Sequence, residues 1–450
     1  MRERFLRRGI NFVVKTVRRR SYAAKRRAPP SHARAPTPRC GCRHVVRIVR
    51  RAQICCRDVE RERDFLIDEH TTVTSDPDVI IKDEAISMVI EVMGGTTLAR
   101  DVTLAALAAG KHVVSANKAL LAEHMAEIEA ALVAAPAVRL GFEAAVAGGI
   151  PVIRSLQSSF GCDDITRVAG ILNGTTNFML SAMHKDGVSY ADILAKAQAA
   201  GFAEADPTAD VDGLDALAKL CILARLCFGV TVRPADVHTT GIRRVSSEDF
   251  EYAALLGSTI KLVGVAQRRA GADGSDAVSA FLSPVVVPVA GTLGAVGGVD
   301  NMVLVESANL GQASFRGPGA GRYPTANSVV SDMLAIASER VGGGGAAPGV
   351  SVAFPVDPPA GVGLDADAVG RFYIRLVVKD SQGILRVVGE LAEKHSFSLY
   401  SVLQTPIKTR DRVAFVITTD ETRRSRVDAF ADDVRSLDWC LEDAFCMPFL

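Results

Sequence analysis

The chain has 450 residues, of which 48% are hydrophobic and 23% charged, and its 52 basic and 51 acidic side chains give a net charge of +1. This length predicts roughly two to four domains with sizeable cores, and the near-zero charge argues against nucleic acid or an anionic membrane surface as a partner. The longest uncharged run, 277–299, is interrupted by prolines and glycines, so no membrane-spanning segment is predicted. The nine cysteines show no repeated spacing, which predicts free thiols in a reducing compartment.

Residues 1–44 are basic, poor in acids and rich in Ser, Ala and Pro. This composition is typical of an organellar transit peptide or a disordered arm. An ordinary flexible basic tail is an alternative interpretation, and so is an incorrectly assigned reading frame. The expected location is accordingly the cytoplasm or, with a transit peptide, a plastid or mitochondrion.

Residues 45–140 have the pattern of a nucleotide-binding domain. The predicted elements are a strand at 54–56 followed by Arg57, a buried strand at 88–93, a turn at Gly94 and Gly95, a helix at 97–109 and a strand at 111–115. Because strand, helix and strand alternate, we expect parallel pairing and a doubly wound, Rossmann-like α/β fold.

Three further regions follow along the chain. Residues 141–314 mix helices and strands, which predicts an α+β catalytic and dimerisation domain. Residues 338–370 include four consecutive glycines at 342–345 and are interpreted as a flexible linker. Residues 371–450 predict the order βαββαβ, with strands at 372–378, 397–404 and 412–419, helices at 384–394 and 422–436, and a short closing strand, which is the ferredoxin-like plan.

The first chemical motif is Ser115-Ala-Asn-Lys118 at the carboxyl end of a predicted strand. Ligands of open parallel sheets bind outside these strand ends, so Asn117 and Lys118 could hold part of a dinucleotide. A solvent-exposed lysine is the simpler alternative.

The second motif runs from Gly141 to Val152 and has one carboxylate, Glu143, among small residues. Small residues allow backbone carbonyls to turn inward and join the carboxylate around a hard cation. The alternative is a tightly packed crossover between domains.

The third motif runs from Gly170 to Phe178. Gly174, Thr175 and Thr176 could offer N–H and hydroxyl donors to a substrate carboxylate. Alternatively, Asn173 or Thr175 is a helix N-cap, which these residue types commonly are.

The fourth motif spans 201–219. A loop dense in carboxylates leads into a helix with Asp215 and Lys219 at i, i+4, which places the pair on one helix face. Such pairs are usually solvated and contribute little, about 0.3–0.5 kcal/mol, but this helix is apolar nearly all round and should be buried. A buried lysine beside an acid, with its pKa drawn toward neutrality, suits a proton donor, and the acidic loop suits an α-ammonium group. The loop carboxylates are Glu204, Asp206, Asp210 and Asp212.

Together these motifs, over about 45–337, resemble homoserine dehydrogenase. Residues 315–337 match the family's segment that returns to the nucleotide domain. The resemblance implies a monofunctional NAD(P)-dependent oxidoreductase that interconverts L-aspartate 4-semialdehyde and L-homoserine in threonine, methionine and isoleucine biosynthesis. Residues 371–450 resemble an ACT domain, which implies threonine as an effector and a homodimer or homotetramer.

The resemblance also implies residue roles. Lys219 would donate a proton to the aldehyde oxygen, with Asp215 orienting it, and Glu204 would bind the substrate ammonium. The implied cofactor residues are Gly94, Gly95, Asn117, Lys118, Gly201 and Gly321, together with Arg57 as a partner of a 2′-phosphate, which favours NADP over NAD. The implied sodium ligands are Glu143 and the backbone carbonyls of Val146, Gly148 and Ile150.

The sequence departs from the family at its start. The family begins with a strand and a Gly-x-Gly-x-x-Gly turn, whereas the only glycines before Arg57 are Gly9 and Gly41. The sheet is therefore expected to lose its first, central strand, and the pyrophosphate its helix N-terminus. An incorrect reading frame over 1–44 is the favoured explanation, and loss of cofactor affinity is the other. A non-catalytic amino-acid-binding regulatory subunit is accordingly the alternative function, and a dehydrogenase for another semialdehyde or hydroxy acid is a third.

Overall fold

Three sheets with flanking helices, and a separate pair of short strands, make up the described part of the chain. In this computed structural model the described residues are 11–15, 52–63, 67, 69, 71–270, 276–341, 363–365, 367–407 and 409–450. The linker glycines and most of the basic N-terminal segment lie outside these ranges. No helix among the described residues is both long enough and apolar enough to cross a membrane.

The first sheet has six strands in the order β3-β2-β1-β4-β5-β6. Its strands are β1 (Asn11–Lys15), β2 (Ala52–Cys55), β3 (Thr72–Thr74), β4 (Ile86–Glu91), β5 (His112–Ser115) and β6 (Leu140–Gly141). Its helices are α1 (Pro77–Lys82), α2 (Thr97–Ala108) and α3 (Lys118–Ala134). Strands β4, β5 and β6 pair in parallel, as do β2 and β3, which confirms the Rossmann-like class.

The central position of this sheet is occupied, contrary to the expectation that it would be lost. Strand β1 pairs with both β2 and β4, and Phe12 lies opposite Ile54 on one side and Ile90 on the other. Both pairings are antiparallel, so β1 runs against its neighbours. Without β1, the facing backbone N–H and C=O groups of β2 and β4 would have no partners. The backbone of β1 provides these partners on both sides.

The second sheet forms the catalytic domain. Its order is β12-β11-β7-β9-β10-β13, and β8 pairs with β10. The strands are β7 (Ile165–Ile171), β8 (His238–Thr239), β9 (Ser258–Ala270), β10 (Asp276–Pro288), β11 (Asp300–Ser307), β12 (Gly311–Pro318) and β13 (Gly363–Asp365). The helices are α4 (Val152–Ser159), α5 (Gly174–Asp186), α6 (Tyr190–Ala199), α7 (Thr208–Val211), α8 (Leu214–Phe228) and α9 (Ser247–Leu255).

Helix α8 lies in the middle of the core. It contacts α3 of the nucleotide domain as well as β7, β9 and β10, and every residue from Ala216 to Phe228 is buried. This confirms the prediction from its all-round apolar pattern. Left-handed glycines, Gly213 and Gly229, bound the helix at its two ends.

Helix α10 (Arg322–Val341) returns to the nucleotide sheet, where it contacts β5 and β6. Its length corrects the start of the predicted linker, because 338–341 are helical. The end of the linker is also corrected: β13 pairs with β10 in parallel, and β14 (Val369–Gly370) pairs with β18 (Thr422–Arg423). Strand β13 thus covers the edge strand β10, whereas β14 and β18 form a two-stranded sheet of their own.

The C-terminal residues form a four-stranded antiparallel sheet in the order β16-β17-β15-β19. Its elements are β15 (Phe372–Val378), α11 (Ile384–Lys394), β16 (Leu399–Leu403), β17 (Val413–Thr419), α12 (Arg424–Arg435) and β19 (Cys440–Pro448). This confirms the ferredoxin-like plan. The closing strand is longer than predicted, and this domain packs on the catalytic domain through β10 and β19.

Candidate active site

The predicted pair of Asp215 and Lys219 lies at the start of α8. Lys219 is 4% exposed, and its Nζ donates to Oδ2 of Asp215 at 2.6 Å and to the carbonyl oxygen of Leu172 at 2.6 Å. Leu172 directly follows strand β7. The lysine is therefore held by one carboxylate and one carbonyl inside the protein, and the solvated surface pair that the spacing also allowed is excluded.

Two asparagines complete the surroundings of this pair. Asn173 donates from Nδ2 to Asp215 at 3.0 Å and to Asp210 at 2.6 Å. Asn301 on β11 donates to the same Leu172 carbonyl that Lys219 uses, at 2.8 Å. These contacts restrict the rotamers of both ionic side chains, which favours a fixed geometry for proton transfer.

A second lysine reaches the same carboxylate from the nucleotide domain. Nζ of Lys118, the first residue of α3, lies 3.2 Å from Oδ1 of Asp215. Asp215 thus has a different lysine on each oxygen. Lys118 was predicted only as a cofactor residue, and the structure also places it against the Asp215–Lys219 pair at the junction of the two domains.

The turn that carries Lys118 is fastened by a buried glutamate. Glu91 at the end of β4 is 1% exposed and accepts from Ser115 Oγ at 2.7 Å, from the Met93 N–H at 2.8 Å and from Asn117 Nδ2 at 3.4 Å. Burial raises the pKa of Glu91 above its usual range, while these donors oppose that rise. Asn117 also caps α3, since its Oδ1 accepts from Leu120 N.

The third motif serves the local framework. Asn173 is the N-cap of α5 and accepts from Thr176 N at 2.9 Å. The hydroxyl of Thr175 donates to the Phe202 carbonyl, and that of Thr176 is within hydrogen-bond distance of both Asn173 oxygens. The helix N-cap interpretation is therefore correct for Asn173. Gly174 and its neighbours could still offer backbone N–H groups to an anion.

The acidic loop lies against this helix start. The Phe202 ring contacts Phe178 of α5 at a centroid distance of 4.9 Å, in addition to the bond from Thr175. Glu204, two residues later, is exposed, and its carbonyl accepts from Gln198 Nε2 at 2.9 Å. The loop is thus held against α5 through Phe202, and it leaves Glu204 at the surface.

Glu143 has a structural role. One of its carboxylate oxygens accepts from the Ile153 N–H and the other from the Arg154 N–H, both at 2.9 Å, so it caps the start of α4. Burial raises the pKa of Glu143 to about 7. The carbonyl oxygen of Gly148 accepts from Ser328 Oγ and that of Ile150 from Val152 N.

Each carboxylate oxygen of Glu143 accepts one backbone hydrogen bond and keeps a second lone pair, so a cation site of Glu143 with the carbonyl oxygens of Val146, Gly148 and Ile150 stays a prediction. No cluster of three or more His, Cys, Asp or Glu side chains suited to a metal occurs among the described residues. The tightly packed crossover is the interpretation that the contacts favour. Val146 is fully buried in this segment.

The remaining cofactor candidates lie on turns. Gly94 and Gly95 have left-handed φ values of 76° and 72°, and the space beside each Cα is open, so a ligand could approach their backbone between β4 and α2. Gly201 and Gly321 also have positive φ. Arg57 is exposed just after β2, at the same sheet edge, where a 2′-phosphate partner is expected.

Three site residues escaped the sequence analysis: Glu91, Asn301 and the Leu172 carbonyl. Glu91 could have been predicted from the sequence, since an acid at the end of an apolar run marks the carboxyl end of a strand. Asn301 could not, because it is brought to the site by the pairing of β11 with β7.

The arrangement can therefore hold a proton on a buried lysine and orient it with a carboxylate at the junction of two domains. Two family models match the chain: "Homoserine dehydrogenase, NAD binding domain" over residues 43–139 and "Homoserine dehydrogenase" over residues 151–334.

Individual relatives agree with these models. The homoserine dehydrogenase of Corynebacterium glutamicum is 42% identical over 351 residues, which cover 78% of this chain and 77% of the relative. That of Bacillus subtilis is 38% identical over 387 residues, or 86% of each chain. The crystal structure of a homoserine dehydrogenase from Thiobacillus denitrificans has a TM-score of 0.76 and 33% identity, covering 84% of this chain and 85% of its own.

Proposed function

The chain belongs to the homoserine dehydrogenase family, and from that premise we propose that Lys219 and Asp215 carry the proton transfer of the family's reaction. As a member, the chain is an NAD(P)-dependent oxidoreductase. The supporting observation is the buried Lys219 Nζ, held at 2.6 Å by Asp215 and at 2.6 Å by the Leu172 carbonyl. A protonated amine in that position can protonate an oxygen that gains negative charge.

In the direction of reduction, Nζ of Lys219 gives a proton to the aldehyde oxygen of L-aspartate 4-semialdehyde. In the reverse direction it takes the hydroxyl proton of L-homoserine. Asp215 stabilises the ammonium form and fixes the direction of its N–H bonds, and its position one helical turn earlier keeps the pair together. Lys118, on the other oxygen of Asp215, prevents the carboxylate from turning away and adds a second positive charge near the reacting oxygen.

The substrate's amino acid end is assigned to the acidic loop and the start of α5. The exposed carboxylate of Glu204 would bind the ammonium group. The N–H groups at the N-terminus of α5, beginning at Gly174, would face the carboxylate, since a helix N-terminus favours an anion. Thr175 and Thr176 support this arrangement through their bonds to the Phe202 carbonyl and to Asn173.

A nicotinamide dinucleotide supplies the hydride in reduction and accepts it in oxidation. The residues present fit its nicotinamide half: open glycine backbone at Gly94 and Gly95, and Asn117 and Lys118 at the carboxyl end of β5. Gly201 and Gly321 would approach it from the catalytic domain and the return segment. Arg57 would favour NADPH through a 2′-phosphate.

Three finer assignments complete the proposal. Threonine would act as an effector at the C-terminal ferredoxin-like domain, and the chain would assemble as a homodimer or homotetramer. A monovalent cation would bind Glu143 and the backbone carbonyl oxygens of Val146, Gly148 and Ile150. Light scattering with and without threonine tests the first two, and thermal midpoints in sodium chloride against choline chloride test the third, since a bound cation would raise the midpoint.

The direct test is to purify the chain and follow NADPH oxidation with L-aspartate 4-semialdehyde. Turnover that is lost in Lys219→Ala but kept in Lys185→Ala, a change at an exposed lysine of α5, would support the proposal. Turnover that survives Lys219→Ala undiminished would overturn the assignment of the proton donor.

A further inference from the structure

We propose that the cavity between the catalytic sheet and the C-terminal domain is a binding site for a small organic carboxylate with an apolar body. The cavity encloses about 210 Å³. It lies between β7 and β9 of the catalytic sheet and the segments 368–372 and 448–450, away from Lys219. This site is independent of the proposed catalytic chemistry.

The polar side of the cavity is cationic. Arg167, Arg269 and Arg424 all line it. Arg167 pairs with Glu306 at 3.3 Å and Arg424 with Asp428 at 2.6 Å, whereas no described carboxylate lies within ion-pair distance of Arg269. Of these three arginines, Arg269 is therefore the one whose charge no described side-chain carboxylate offsets.

Arg269 is held in place by neutral acceptors. With the Gln267 amide turned so that both groups are satisfied, its oxygen accepts from Nε and Nη2 of Arg269 at 2.8 Å, and the Val369 carbonyl accepts from Nη2 at 2.6 Å. Within the described residues no acceptor engages Nη1. A guanidinium that is oriented in advance and keeps donors unused is well suited to bind a carboxylate.

Arg167 provides a second observation of the same kind. Its Nε is buried without a hydrogen-bond partner among the described residues. An unsatisfied donor on a lining arginine shows that the polar wall of the cavity is not fully paired by the protein. Arg167 lies opposite Gln267 across the β7–β9 ladder, which places it next to Arg269.

The rest of the lining sets the class of ligand. Phe281, Phe372 and Phe449 supply an apolar wall. Burial and the nearby Arg424 lower the pKa of His238, so its imidazole adds hydrogen bonding without further charge. The volume lies below the roughly 300 Å³ at which pockets begin to suit drug-sized ligands, which excludes a nucleotide and fits a short carboxylate.

Calorimetric titration of the full chain with isovalerate and, separately, with inorganic phosphate tests the site. We expect saturable isovalerate binding with a dissociation constant on the order of 1 mM, weakened about tenfold or more in Arg269→Gln, since hydrogen bonds to charged groups contribute about 1.5–3 kcal/mol. Arg268→Gln is the matched control, because this neighbouring arginine is exposed and does not line the cavity.

A second variant tests the site even if Arg269→Gln fails to fold. Ala368→Leu adds volume to the lining and removes no charge, so it should abolish isovalerate binding while the circular dichroism spectrum and thermal midpoint stay native. No saturable isovalerate binding, equal binding by Arg268→Gln and Arg269→Gln, or binding of phosphate alone would each overturn the assignment.

Discussion

Asp249 and Arg375 form a buried ion pair that joins the catalytic domain to the C-terminal domain. Arg375 Nη1 lies 2.6 Å from Asp249 Oδ2, and the two side chains are 7% and 0% exposed. Tyr373 donates to the other carboxylate oxygen at 2.9 Å. Asp249 also takes part in the capping box of α9 with Ser246, so one carboxylate holds both a helix start and a domain interface.

Removing one partner of this pair should be costly. In Arg375→Met the Asp249 carboxylate stays buried without its counter-ion, and we expect the free energy of unfolding to fall by about 3–5 kcal/mol. Urea denaturation measures it. Arg412→Met is the control, because Arg412 bridges the same two domains through the exposed Glu248 and should cost under about 1 kcal/mol. Equal losses would show that burial of the pair is not what matters.

Lys219→Ala should lower kcat by about 10²–10⁴-fold, the usual weight of one acid–base group. The KM for aspartate semialdehyde should change less, since Lys219 acts on the oxygen during the reaction and its other bonds are to the protein. Steady-state kinetics with NADPH separate the two parameters. A variant that raised KM and left kcat intact would contradict the role of proton donor.

Glu204→Ala should do the opposite and raise the KM for the semialdehyde with a smaller effect on kcat. The physical reason is that an exposed carboxylate that binds the substrate ammonium holds ground state and transition state alike. Glu251→Ala, at an exposed acid of α9, serves as the control and should match the unmodified chain. A loss confined to kcat would remove Glu204 from substrate binding.

Glu91→Gln should lower kcat by roughly 10–100-fold without unfolding the nucleotide domain. The amide keeps the side-chain shape but removes the negative charge, so the hydrogen bonds at Ser115 and the Met93 N–H lose their charge-assisted strength, and the Ser115 hydroxyl must turn to accept from the new N–H. The turn that carries Lys118 should then move, and a displacement of about 1 Å can cost about 10²-fold in rate. Steady-state kinetics measure kcat, and the thermal midpoint checks that the variant is folded. Glu84→Gln is the control, because Glu84 is an exposed acid just before β4 and its loss should leave kcat unchanged.

The stability of the chain should depend on the titration of Glu143. Its pKa is raised by burial from 4.5 to about 7, so the folded state binds this proton more tightly than the unfolded state does. The resulting stabilisation is complete below about pH 4.5 and is lost as the pH rises through about 7. Glu143→Gln cannot titrate, so the unfolding free energy of the unmodified chain relative to this variant should fall by up to about 3 kcal/mol across that window. A difference that stayed constant with pH would contradict the assignment.

Local features of the fold were predictable because they depend on the periodicity of apolar and polar residues. The all-round apolar pattern after Asp215 predicted a buried α8, the i, i+4 spacing predicted its ion pair, and residues 371–450 predicted βαββαβ. What could not be predicted were partners distant in the chain: Lys118 on Asp215, and the two N–H groups that occupy Glu143. A carboxylate that caps a helix and one that binds a cation look alike in sequence, since only tertiary packing decides which donor arrives.

Strand β1 shows that completing a sheet and preparing a phosphate site are separate requirements. A ladder of backbone hydrogen bonds can be closed by a neighbour of either direction, and Asn11–Lys15 closes it on both sides. A phosphate site, in contrast, depends on the direction of the strand. Strand β1 begins at Asn11, beside Cys55 at the sheet edge where this fold binds cofactors, and ends with Lys15 toward the opposite edge. A complete ladder of strands in this sheet therefore does not by itself supply the helix N-terminus that favours binding of a dinucleotide's pyrophosphate.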